Sequence, residues 1–451
     1  MLEGISKVHF IGIGGYGMSA LALVLLQMGY DVRGSDLNSS RLTELLGKKG
    51  AKVYIEHRAE QIGDAELVVY STAIPPDNSE MKAAKEQGLM LWHRSELLAA
   101  ILNKGYGIAL TGAHGKTTTA AMLSLLLEKG GFDPTALIGG EVPSFQGNAR
   151  LGKGEYIVAE ACESDHSFLR YRPRLALITG IEADHLEHYG GSFDALVDTY
   201  TDFINNIEGI AVVCGDDPIL RKLMPQLFTP FFSYGLSEHA DIRGVDVKLE
   251  QLGSRFQVYY EDKHLGEIVL KVPGKYNILN ALGAIAVALY LGMDFALMKE
   301  AFLAFKGVKR RFEIIGEKNG VTVVDDYAHH PTEIKAALQA AAQSGRRLIC
   351  VFQPHRYTRT NFLWDEFVEA FGCADVLILN DIYSAGEEPI PGITSQRLAQ
   401  EIAARKHDHV YVTKERKETV ELLEKIVKEG DLALIMGAGD IWQVGRGFLN
   451  R

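Results

Sequence analysis

A glycine-rich turn decides the fold of this chain: Thr111-Gly112-Ala113-His114-Gly115-Lys116-Thr117-Thr118-Thr119. It follows an apolar run, Tyr106 to Leu110, that predicts a strand, and it precedes a segment that predicts a helix to about Lys129. In such a turn the backbone N–H groups face an anion, and the helix N-terminus adds its partial positive charge. The segment therefore predicts a phosphate-binding loop, although Gly112 and Gly115 are separated by two residues and not by the usual four.

Length and charge narrow the class of protein. The 451 residues exceed one ordinary hydrophobic core and predict two or three domains. Lys and Arg total 47 against 58 Asp and Glu, and the net charge of −11 argues against general binding to nucleic acid or to a membrane surface. The four cysteines lie apart in the sequence. They indicate neither a disulfide framework nor a zinc site, and they favour a cytoplasmic location.

The segment from Val8 through Tyr30 carries no charge and is long enough to be mistaken for a membrane span. Glycines interrupt its first half, and a strand-like alternation that ends at Asp36 follows it. The pattern therefore predicts a strand as far as Ile13, a glycine turn, a helix through Met28 and a second strand.

This first glycine turn, Gly12-x-Gly14-x-x-Gly17, has the spacing of a dinucleotide-binding fingerprint. The glycines let a diphosphate approach the helix N-terminus, and an acid near Asp36 accepts a hydrogen bond from a ribose hydroxyl. Taken alone, the turn fits an NAD enzyme as well as any other diphosphate binder. A rigid loop, Ser71-Thr72-Ala73-Ile74-Pro75-Pro76, follows the predicted strand Leu67 to Tyr70, at a position where α/β sheets place ligand contacts.

Acidic loops follow two further predicted strands, Glu155 to Ala159 and Leu175 to Thr179. The loops carry Glu160, Glu163 and Asp165, and Glu182, Asp184 and His185. Carboxylates beside a phosphate loop suit Mg²⁺, which prefers hard oxygen ligands. The sequence therefore predicts a magnesium site next to the phosphate loop.

The C-terminal third alternates between predicted strands and helices, among them a helix from Asn361 to Phe371. This alternation predicts a doubly wound, mainly parallel sheet. Its strands end in polar loops, which converge at one edge of the sheet: Asp325-Asp326-Tyr327-Ala328-His329-His330-Pro331, Gln353-Pro354-His355-Arg356-Tyr357-Thr358-Arg359, Asp381-Ile382-Tyr383 and Gly437-Ala438-Gly439-Asp440.

Motifs along essentially the full length resemble the Mur ligase family of peptidoglycan synthesis: GIGGYGMSA, TGAHGKTTT, AEACESDHSF, IEADHLEHY, DDYAHHPTE, FQPHRYTRT and GAGDIW. The resemblance implies a three-domain α/β fold. Residues 1–104 would form a Rossmann-like domain for a UDP-sugar, 105–307 an ATP-binding domain of the P-loop type with a small antiparallel sheet, and 308–451 a doubly wound, Rossmann-like domain for an amino acid. The short phosphate loop is the form typical of this family.

The resemblance also implies an activity, because the motifs are most similar to those of the family members that act on L-alanine. Such a ligase uses ATP and Mg²⁺ to join L-alanine to the lactyl carboxylate of UDP-N-acetylmuramate through an acyl phosphate. It is cytoplasmic, a monomer or weak homodimer, and needs neither nucleic acid nor membrane. Several family members use a carbamylated lysine, but no Lys occurs between Lys153 and Lys222, so none is expected here.

Site residues follow from the same resemblance. The implied ATP-binding residues are Gly112, His114, Gly115, Lys116, Thr117, Thr118, Asn277, Asn280, Arg311 and Asp325. The implied UDP-sugar residues are Gly14, Gly15, Gly17, Asp36, Ser71, Thr72, Ala73 and Ser164. Mg²⁺ would take Thr117, Glu160 and His185, with Glu163 as a competitor to Glu160. The amino-acid site would use Tyr327, His355, Arg356 and Arg359, and the catalytic set would be Lys116, His185, His329, His330, Arg356 and Arg359.

Three alternatives remain open at this point. The family's recycling ligase adds a tripeptide to the same sugar nucleotide, so the C-terminal loops must distinguish the two activities. An NAD-dependent dehydrogenase would use the first fingerprint but would leave the phosphate loop without a purpose. A nucleotide-switch module without enzymatic activity would leave the third domain unexplained.

Overall fold

The structure, a computed structural model, describes residue 2, residues 4–405, residue 407 and residues 409–451. These residues form two compact units. The first unit comprises Met1–Val245, Gln257–Ile268 and Leu279–Phe305. The second comprises Asp246–Phe256, Val269–Ile278 and Lys306–Arg451. The predicted boundary at 307/308 lies close to Lys306, and the predicted boundary at 104/105 falls within the first unit.

A parallel sheet forms the N-terminal part of the first unit. Its strands are β1 Lys7–Ile11, β2 Asp31–Asp36, β3 Lys52–Ile55, β4 Leu67–Tyr70 and β5 Met90–His93. Its helices are α1 Tyr16–Gln27, α2 Arg41–Lys48, α3 Ser79–Glu86 and α4 Arg94–Leu102. The strand order is β3-β2-β1-β4-β5, so the order reverses between β1 and β4. Open α/β sheets bind ligands at the carboxyl ends of the strands on either side of such a reversal.

Capping explains where some of these helices begin. The Ser40 hydroxyl accepts a hydrogen bond from the Thr43 backbone N–H (3.2 Å), and the Ser40 N–H donates to the Thr43 hydroxyl (2.7 Å). The Asn78 side chain accepts from the N–H groups of Glu80 and Met81. These contacts satisfy N–H groups that have no partner within the helix, and they define the starts of α2 and α3.

A second sheet is centred on the strand that precedes the phosphate loop. Eight of its ten strands are β6 Tyr106–Thr111, β7 Thr135–Val142, β8 Gly147–Arg150, β9 Tyr156–Glu160, β10 Leu175–Ile178, β11 Ile210–Cys214, β12 Phe231–Gly235 and β13 Ile242–Glu250. The order β13-β12-β11-β10-β6-β9-β7-β8 places β6 between β10 and β9, both parallel to it. The carboxyl ends of these three strands therefore lie side by side.

Further strands and helices complete this region. They are α5 Lys116–Lys129, α6 Phe193–Asn205, α7 Pro218–Leu223, β14 Gly253–Tyr260, β15 Lys263–Leu270, α8 Lys275–Tyr290 and α9 Phe295–Ala304. The helix predicted to extend to about Lys129 ends there.

The second unit contains a third sheet. Its strands are β16 Glu313–Lys318, β17 Val321–Asp326, β18 Leu348–Phe352, β19 Val376–Asn380, β20 Val410–Thr413 and β21 Leu432–Met436. Its helices are α10 Pro331–Ala342, α11 Tyr357–Phe362, α12 Trp364–Val368, α13 Ser395–Ala404, α14 Arg416–Ile426 and α15 Trp442–Asn450. The order is β16-β17-β21-β18-β19-β20, and the edge strand β16 is antiparallel to β17.

Both faces of this sheet are covered, as a doubly wound sheet requires. In β18, Cys350 and Phe352 pack in one apolar cluster, whereas Ile349 and Val351 pack in another. Successive side chains of a strand point to opposite faces, so one strand contributes to two cores. The doubly wound, mainly parallel sheet expected for this region is confirmed.

Two segments that were predicted from the sequence can be compared with the structure. The bounds of the helix predicted for 361–371 are wrong, because the helix begins earlier, at Tyr357, breaks at Leu363 (φ −106°, ψ 30°) and resumes as Trp364–Val368. The uncharged segment 8–30 divides into β1, the glycine turn and α1. Among the residues that the structure describes, none of the helices has the length and apolar character that crossing a membrane requires.

Candidate active site

The phosphate loop depends on two glycines in left-handed conformations. Gly112 has φ +131° and Gly115 has φ +81°. A Cβ atom added at Gly112 would lie 2.1 Å from the Thr179 hydroxyl oxygen, and one added at Gly115 would lie 2.4 Å from Asn280 Oδ1. Both positions therefore require glycine for conformation and for space. The short spacing between them still produces a turn that leads into the N-terminus of α5.

Lys116 is the first residue of α5, and its ammonium group is held by a carboxylate. Its Nζ lies 2.8 Å and 3.0 Å from the two carboxylate oxygens of Glu163, and it also donates to the Gly112 carbonyl. Burial by itself would lower the pKa of Lys116, but the neighbouring Glu163 carboxylate outweighs burial and raises it. Lys116 is therefore cationic, although it starts a helix whose dipole disfavours a cation there.

Thr117 and Glu160 form a neighbouring oxygen pair. The Thr117 hydroxyl donates to Glu160 Oε2 (3.1 Å), and Glu160 Oε1 accepts from the Gly139 backbone N–H (2.5 Å). A hydroxyl and a carboxylate are hard oxygen ligands of the kind that Mg²⁺ takes. The two candidate acids thus differ in their contacts, since Glu163 pairs with Lys116 and Glu160 pairs with Thr117.

His185 lies in the loop after β10 with a left-handed backbone, φ +57°. Its Nδ1 is 3.8 Å from a carboxylate oxygen of Glu187, and its Nε2 is 3.5 Å from one of Asp184. The neighbouring His185 imidazole lowers the pKa of Glu187 to about 2. His185 therefore lies among carboxylates at the same sheet edge as the phosphate loop.

Side chains around the loop support its shape. The Thr179 hydroxyl donates to the His114 carbonyl (2.5 Å), and His114 Nε2 is 2.8 Å from Glu182 Oε2. The Thr119 hydroxyl donates to Asn280 Oδ1 (3.1 Å), and Thr118 is buried at the same helix start. Asn280 thus belongs to the support of the loop, while Asn277 lies in the second unit.

Asp36 in the N-terminal fingerprint has a role that its position in the sequence does not reveal. Its carboxylate accepts from the Gly14 backbone N–H (2.8 Å) and so shapes the turn. A Cβ atom at Gly14 would lie 2.8 Å from Thr43 Cγ2, whereas the nearest atoms to a Cβ at Gly15 and Gly17 are 3.6 Å and 4.0 Å away. Gly14 is therefore required by the fold of the turn itself, and Gly15 is not.

The loop after β4 carries Ser71, Thr72 and Ala73 at the point where the strand order reverses. The Thr72 hydroxyl is 3.4 Å from Asp165 Oδ2, and the Ser164 hydroxyl is 3.0 Å from the Cys162 sulfur. The structure thus brings the Thr72 loop to the acidic loop after β9.

The second unit contains buried acids at the end of β17. Burial raises the pKa of Asp325 to about 7, against the lowering effect of Arg310. Burial likewise raises the pKa of Asp326 to about 6, against the lowering effect of Arg311. Both arginines lie over the Tyr327 ring, 4.9 Å and 5.2 Å from its centroid. Arg310, which sequence reasoning missed, also donates to the Gly437 carbonyl (2.6 Å).

Loops that follow three different strands form what we call the basic loop cluster, which consists of His329, His355, Arg356, Arg359 and Tyr383. The ring centroids of His329 and His355 are 6.1 Å apart, and His355 stacks on Tyr383 at 5.5 Å with an interplanar angle of 10°. Arg359 Nη1 is 3.4 Å from His355 Nδ1, and the Arg356 backbone N–H donates to the Tyr383 carbonyl (2.8 Å). The predicted convergence of these loops is thus observed within the second unit.

The electrostatics of this cluster keep one imidazole neutral. Burial, together with the neighbouring His329, Arg359 and Arg356, lowers the pKa of His355 to about 3. The His330 side chain caps α10, because its Nδ1 accepts from the Thr332 backbone N–H (3.4 Å). Arg356 and Arg359 therefore supply positive charge beside a neutral His355 ring.

A missed pair of residues, His93 and Arg94, lies at the carboxyl end of β5. The Arg94 Nη2 is 3.4 Å from Asp165 Oδ2, and the His93 Nε2 is 3.8 Å from the same carboxylate. Neither β5 nor α4 was predicted from the sequence. Recognising a strand from Met90 to His93 would have placed both side chains at the ligand edge of the sheet.

Taken together, the fold and the site define an α/β protein with three sheets, of which the central sheet carries a phosphate loop and the other two carry further polar loops at their strand ends. Family models match the chain in three segments. They are the catalytic domain of the Mur ligase family at residues 7–106, the Mur ligase middle domain at 110–288 and the Mur ligase glutamate ligase domain at 310–439. The chain belongs to the Mur ligase family.

Individual proteins are similar over the whole chain. The UDP-N-acetylmuramate–L-alanine ligase of Pelobacter propionicus is 48% identical over 99% of this chain and 98% of its own length. That of Trichlorobacter lovleyi is 46% identical over 100% of both chains. The crystal structure of the UDP-N-acetylmuramate–alanine ligase of Thermotoga maritima matches with a TM-score of 0.85 and 31% identity, covering 99% of this chain and 98% of that one. The murein peptide ligase of Psychrobacter arcticus matches with a TM-score of 0.74 and 25% identity over 99% and 98% of the two chains.

Proposed function

We propose that this protein is an ATP-dependent ligase that joins L-alanine to the lactyl carboxylate of UDP-N-acetylmuramate. The proposal rests on one structural observation, the phosphate loop with Lys116 and Thr117 each held by its own carboxylate. Full-length relatives at 46% and 48% identity that are named for this activity support it. An amide does not form readily from a free carboxylate in water, so the carboxylate must first be activated.

In the first step, a lactyl carboxylate oxygen attacks the γ-phosphorus of ATP in line. The bond from the γ-phosphorus to the β–γ bridging oxygen breaks, ADP leaves, and an acyl phosphate forms. Lys116 and the N–H groups of the loop offset the charge that develops on the transferring oxygens. Because Glu163 holds the Lys116 ammonium within 3.0 Å, the cation is positioned before the nucleotide binds.

We assign the metal site to Thr117 and Glu160, with His185 as the third member. Mg²⁺ bound there would neutralise phosphate charge during the transfer. The choice of Glu160 over Glu163 rests on their contacts, since Glu163 already serves Lys116 and Glu160 lies beside the Thr117 hydroxyl.

In the second step, the amine of L-alanine attacks the carbonyl carbon of the acyl phosphate. The bond between that carbon and the phosphate oxygen breaks, inorganic phosphate leaves, and the nitrogen releases its proton. We assign the amino-acid carboxylate to Arg356 and Arg359 of the basic loop cluster, because a guanidinium engages a carboxylate with two parallel hydrogen bonds. Because His355 is neutral, the positive charge that binds this carboxylate would come from the two arginines.

The decisive experiment measures phosphate release from ATP in the presence of UDP-N-acetylmuramate and Mg²⁺, with each amino acid added in turn. We expect release to require L-alanine, with glycine disfavoured by about 1–3 kcal/mol because it lacks one methyl group. Release without any amino acid, or a preference for a large side chain, would contradict the proposal.

A second candidate function is ligation of a tripeptide to the same nucleotide sugar, which is the activity in the name of a ligase from Neisseria meningitides with a similar structure. The fold match to the Psychrobacter arcticus protein, with a TM-score of 0.74, keeps this candidate under test. The same assay with L-alanyl-γ-D-glutamyl-meso-diaminopimelate distinguishes the two. A protein that used the tripeptide in preference to L-alanine would have the second function.

A further inference from the structure

Arg94 occupies a position that is unfavourable for an arginine. It is the first residue of α4, where the helix dipole disfavours a cation, and its side chain is only 19% exposed. Its neighbour His93 precedes the helix and is also largely buried, at 12% exposure. Burying polar side chains at the N-terminus of a helix costs free energy, so these two residues need contacts that offset this cost.

Asp165 supplies part of that contact. Its Oδ2 is 3.4 Å from Arg94 Nη2 and 3.4 Å from the Thr72 hydroxyl, while its Oδ1 accepts from the Ser167 backbone N–H (3.2 Å). A charge-assisted N–H···O bond is normally 2.7–2.9 Å, so the Arg94 contact is long. A guanidinium has five N–H donors, and one long contact to this carboxylate, together with a contact to Cys162, leaves capacity for a second anion.

The position of Arg94 in the fold indicates which second anion the guanidinium would bind. A Cβ atom at Gly17 would lie 4.0 Å from Arg94 Cδ, so the arginine stem passes beside the first turn of α1. Thr72 reaches the same cluster from the loop after β4, next to the point where the strand order reverses. Arg94 thus borders the turn at which a diphosphate would meet the N-terminus of α1.

His93 supports the same assignment. Its Nδ1 lies 3.4 Å from the Ser95 backbone nitrogen and 2.8 Å from the Ser95 hydroxyl oxygen, and when both groups donate to Nδ1 the proton of the neutral ring is on Nε2. Nε2 is buried and makes no hydrogen bond to any residue in the described part of the chain. Burial and the nearby Arg94 lower the pKa of His93, which keeps this ring a neutral donor.

We propose that Arg94 and His93 bind the diphosphate of the nucleotide sugar, Arg94 through two parallel hydrogen bonds to phosphoryl oxygens. Asp165 and Thr72 are positioning residues that hold Arg94 at the turn. The inference rests on the proposed function, because it takes the nucleotide sugar as the substrate.

The test is direct binding, measured by calorimetry, of UDP-N-acetylmuramate and of UDP-N-acetylglucosamine, which carries the same nucleotide diphosphate without the lactyl group. We expect Arg94→Gln to weaken the binding of both compounds about 10- to 100-fold, the range for losing hydrogen bonds to a charged group. Arg94→Lys should weaken both less, since the charge remains and the fork is lost. The KM values for ATP and L-alanine should stay close to those of the wild type.

Arg33→Gln provides the matched control. Arg33 belongs to the same sheet, but it pairs with Asp31, the first residue of β2, and with Asp64, which precedes β4, and both partners lie at the opposite edge. We expect this variant to bind both sugar nucleotides as the wild type does.

The outcomes separate this inference from the proposed function. A wild-type protein that bound neither sugar nucleotide would contradict the proposed function itself. Wild-type binding that Arg94→Gln left unchanged would overturn only the assignment of Arg94. A loss confined to UDP-N-acetylmuramate would assign Arg94 to the lactyl carboxylate and overturn the diphosphate contact. A lowered melting temperature with equal changes in all three KM values would make Arg94 a structural residue and overturn the inference.

Discussion

The phosphate loop of the first unit and the basic loop cluster of the second unit both lie at the carboxyl ends of parallel strands, yet they are built differently. Nine consecutive residues form the phosphate loop, and the left-handed glycines Gly112 and Gly115 give it its shape. The basic loop cluster depends on side chains from three loops, which stack and hydrogen-bond around His355. A site built from backbone follows from local sequence, whereas a site built from distant side chains depends on the packing of the whole sheet.

The largest expected effect tests the phosphate loop. Lys116→Met should lower turnover by on the order of 10³ or more, because it removes a major charge partner of the transferring phosphate. It should also lower thermal stability, since the buried Glu163 carboxylate loses its cation. Phosphate-release kinetics and a thermal melt measure the two effects.

The double variant Lys116→Met, Glu163→Gln separates them. Removing both charges should recover much of the lost stability, while turnover stays as low as in the single variant. Turnover close to that of the wild type in either variant would show that Lys116 does not act on the phosphate.

The second effect tests the basic loop cluster. Arg356→Lys and Arg359→Lys should each raise the KM for L-alanine about 10- to 100-fold, because lysine cannot reproduce the bidentate fork. The KM values for ATP and for the sugar nucleotide should change little. Steady-state kinetics with each substrate varied in turn will measure this.

Arg397→Lys is the matched control for these variants. Arg397 lies on α13 of the same unit and pairs with Glu401 at 3.1 Å on the surface. It should leave all three KM values unchanged. If Arg356→Lys raised the three values together, its role would be to hold the loop and not to bind the amino acid.

The third effect concerns the other glycine turn and separates glycines that serve the fold from those that serve a ligand. Gly14→Ala should destabilise the protein by about 1–3 kcal/mol, because its Cβ would lie 2.8 Å from Thr43 Cγ2. Gly15→Ala should leave the melting temperature nearly unchanged and raise the KM for the sugar nucleotide. Equal stability of the two variants would show that Asp36 and Thr43 adjust without cost.

The smallest effect is a pH dependence in the second unit. The folded-state pKa of His355 is about 3, below its ordinary value of 6.5, so the unfolded chain binds a proton that the folded chain does not. Stability should therefore be lost as the pH falls below 6.5 towards 3. His355→Gln should reduce the slope of melting temperature against pH in that window, whereas His239→Gln, at an exposed position, should not.

The sequence predicted the strand and the helix around the phosphate loop more accurately than the short elements of the N-terminal sheet. The predicted strand before the phosphate loop and the helix to Lys129 are close to the observed β6 and α5, because strong apolar runs and glycines mark them. The short strands β3 and β5 and the helices α2 to α4 were not predicted, since their apolar residues are few and their boundaries depend on caps such as Ser40. His93 and Arg94 were missed for that reason.

The sequence by itself determined the class of fold, the phosphate loop and the family, because these depend on the order of local motifs and on glycines at fixed spacing. Only the tertiary structure decided which acid meets which partner. Glu160 and Glu163 are three residues apart and chemically alike, yet one pairs with Thr117 and the other with Lys116. Likewise, only the structure shows that Asp36 holds the Gly14 turn and that His355 is a neutral ring between arginines and Tyr383. Such pairings depend on distances of a few ångströms between residues far apart in the chain, which only the packing of the sheets sets.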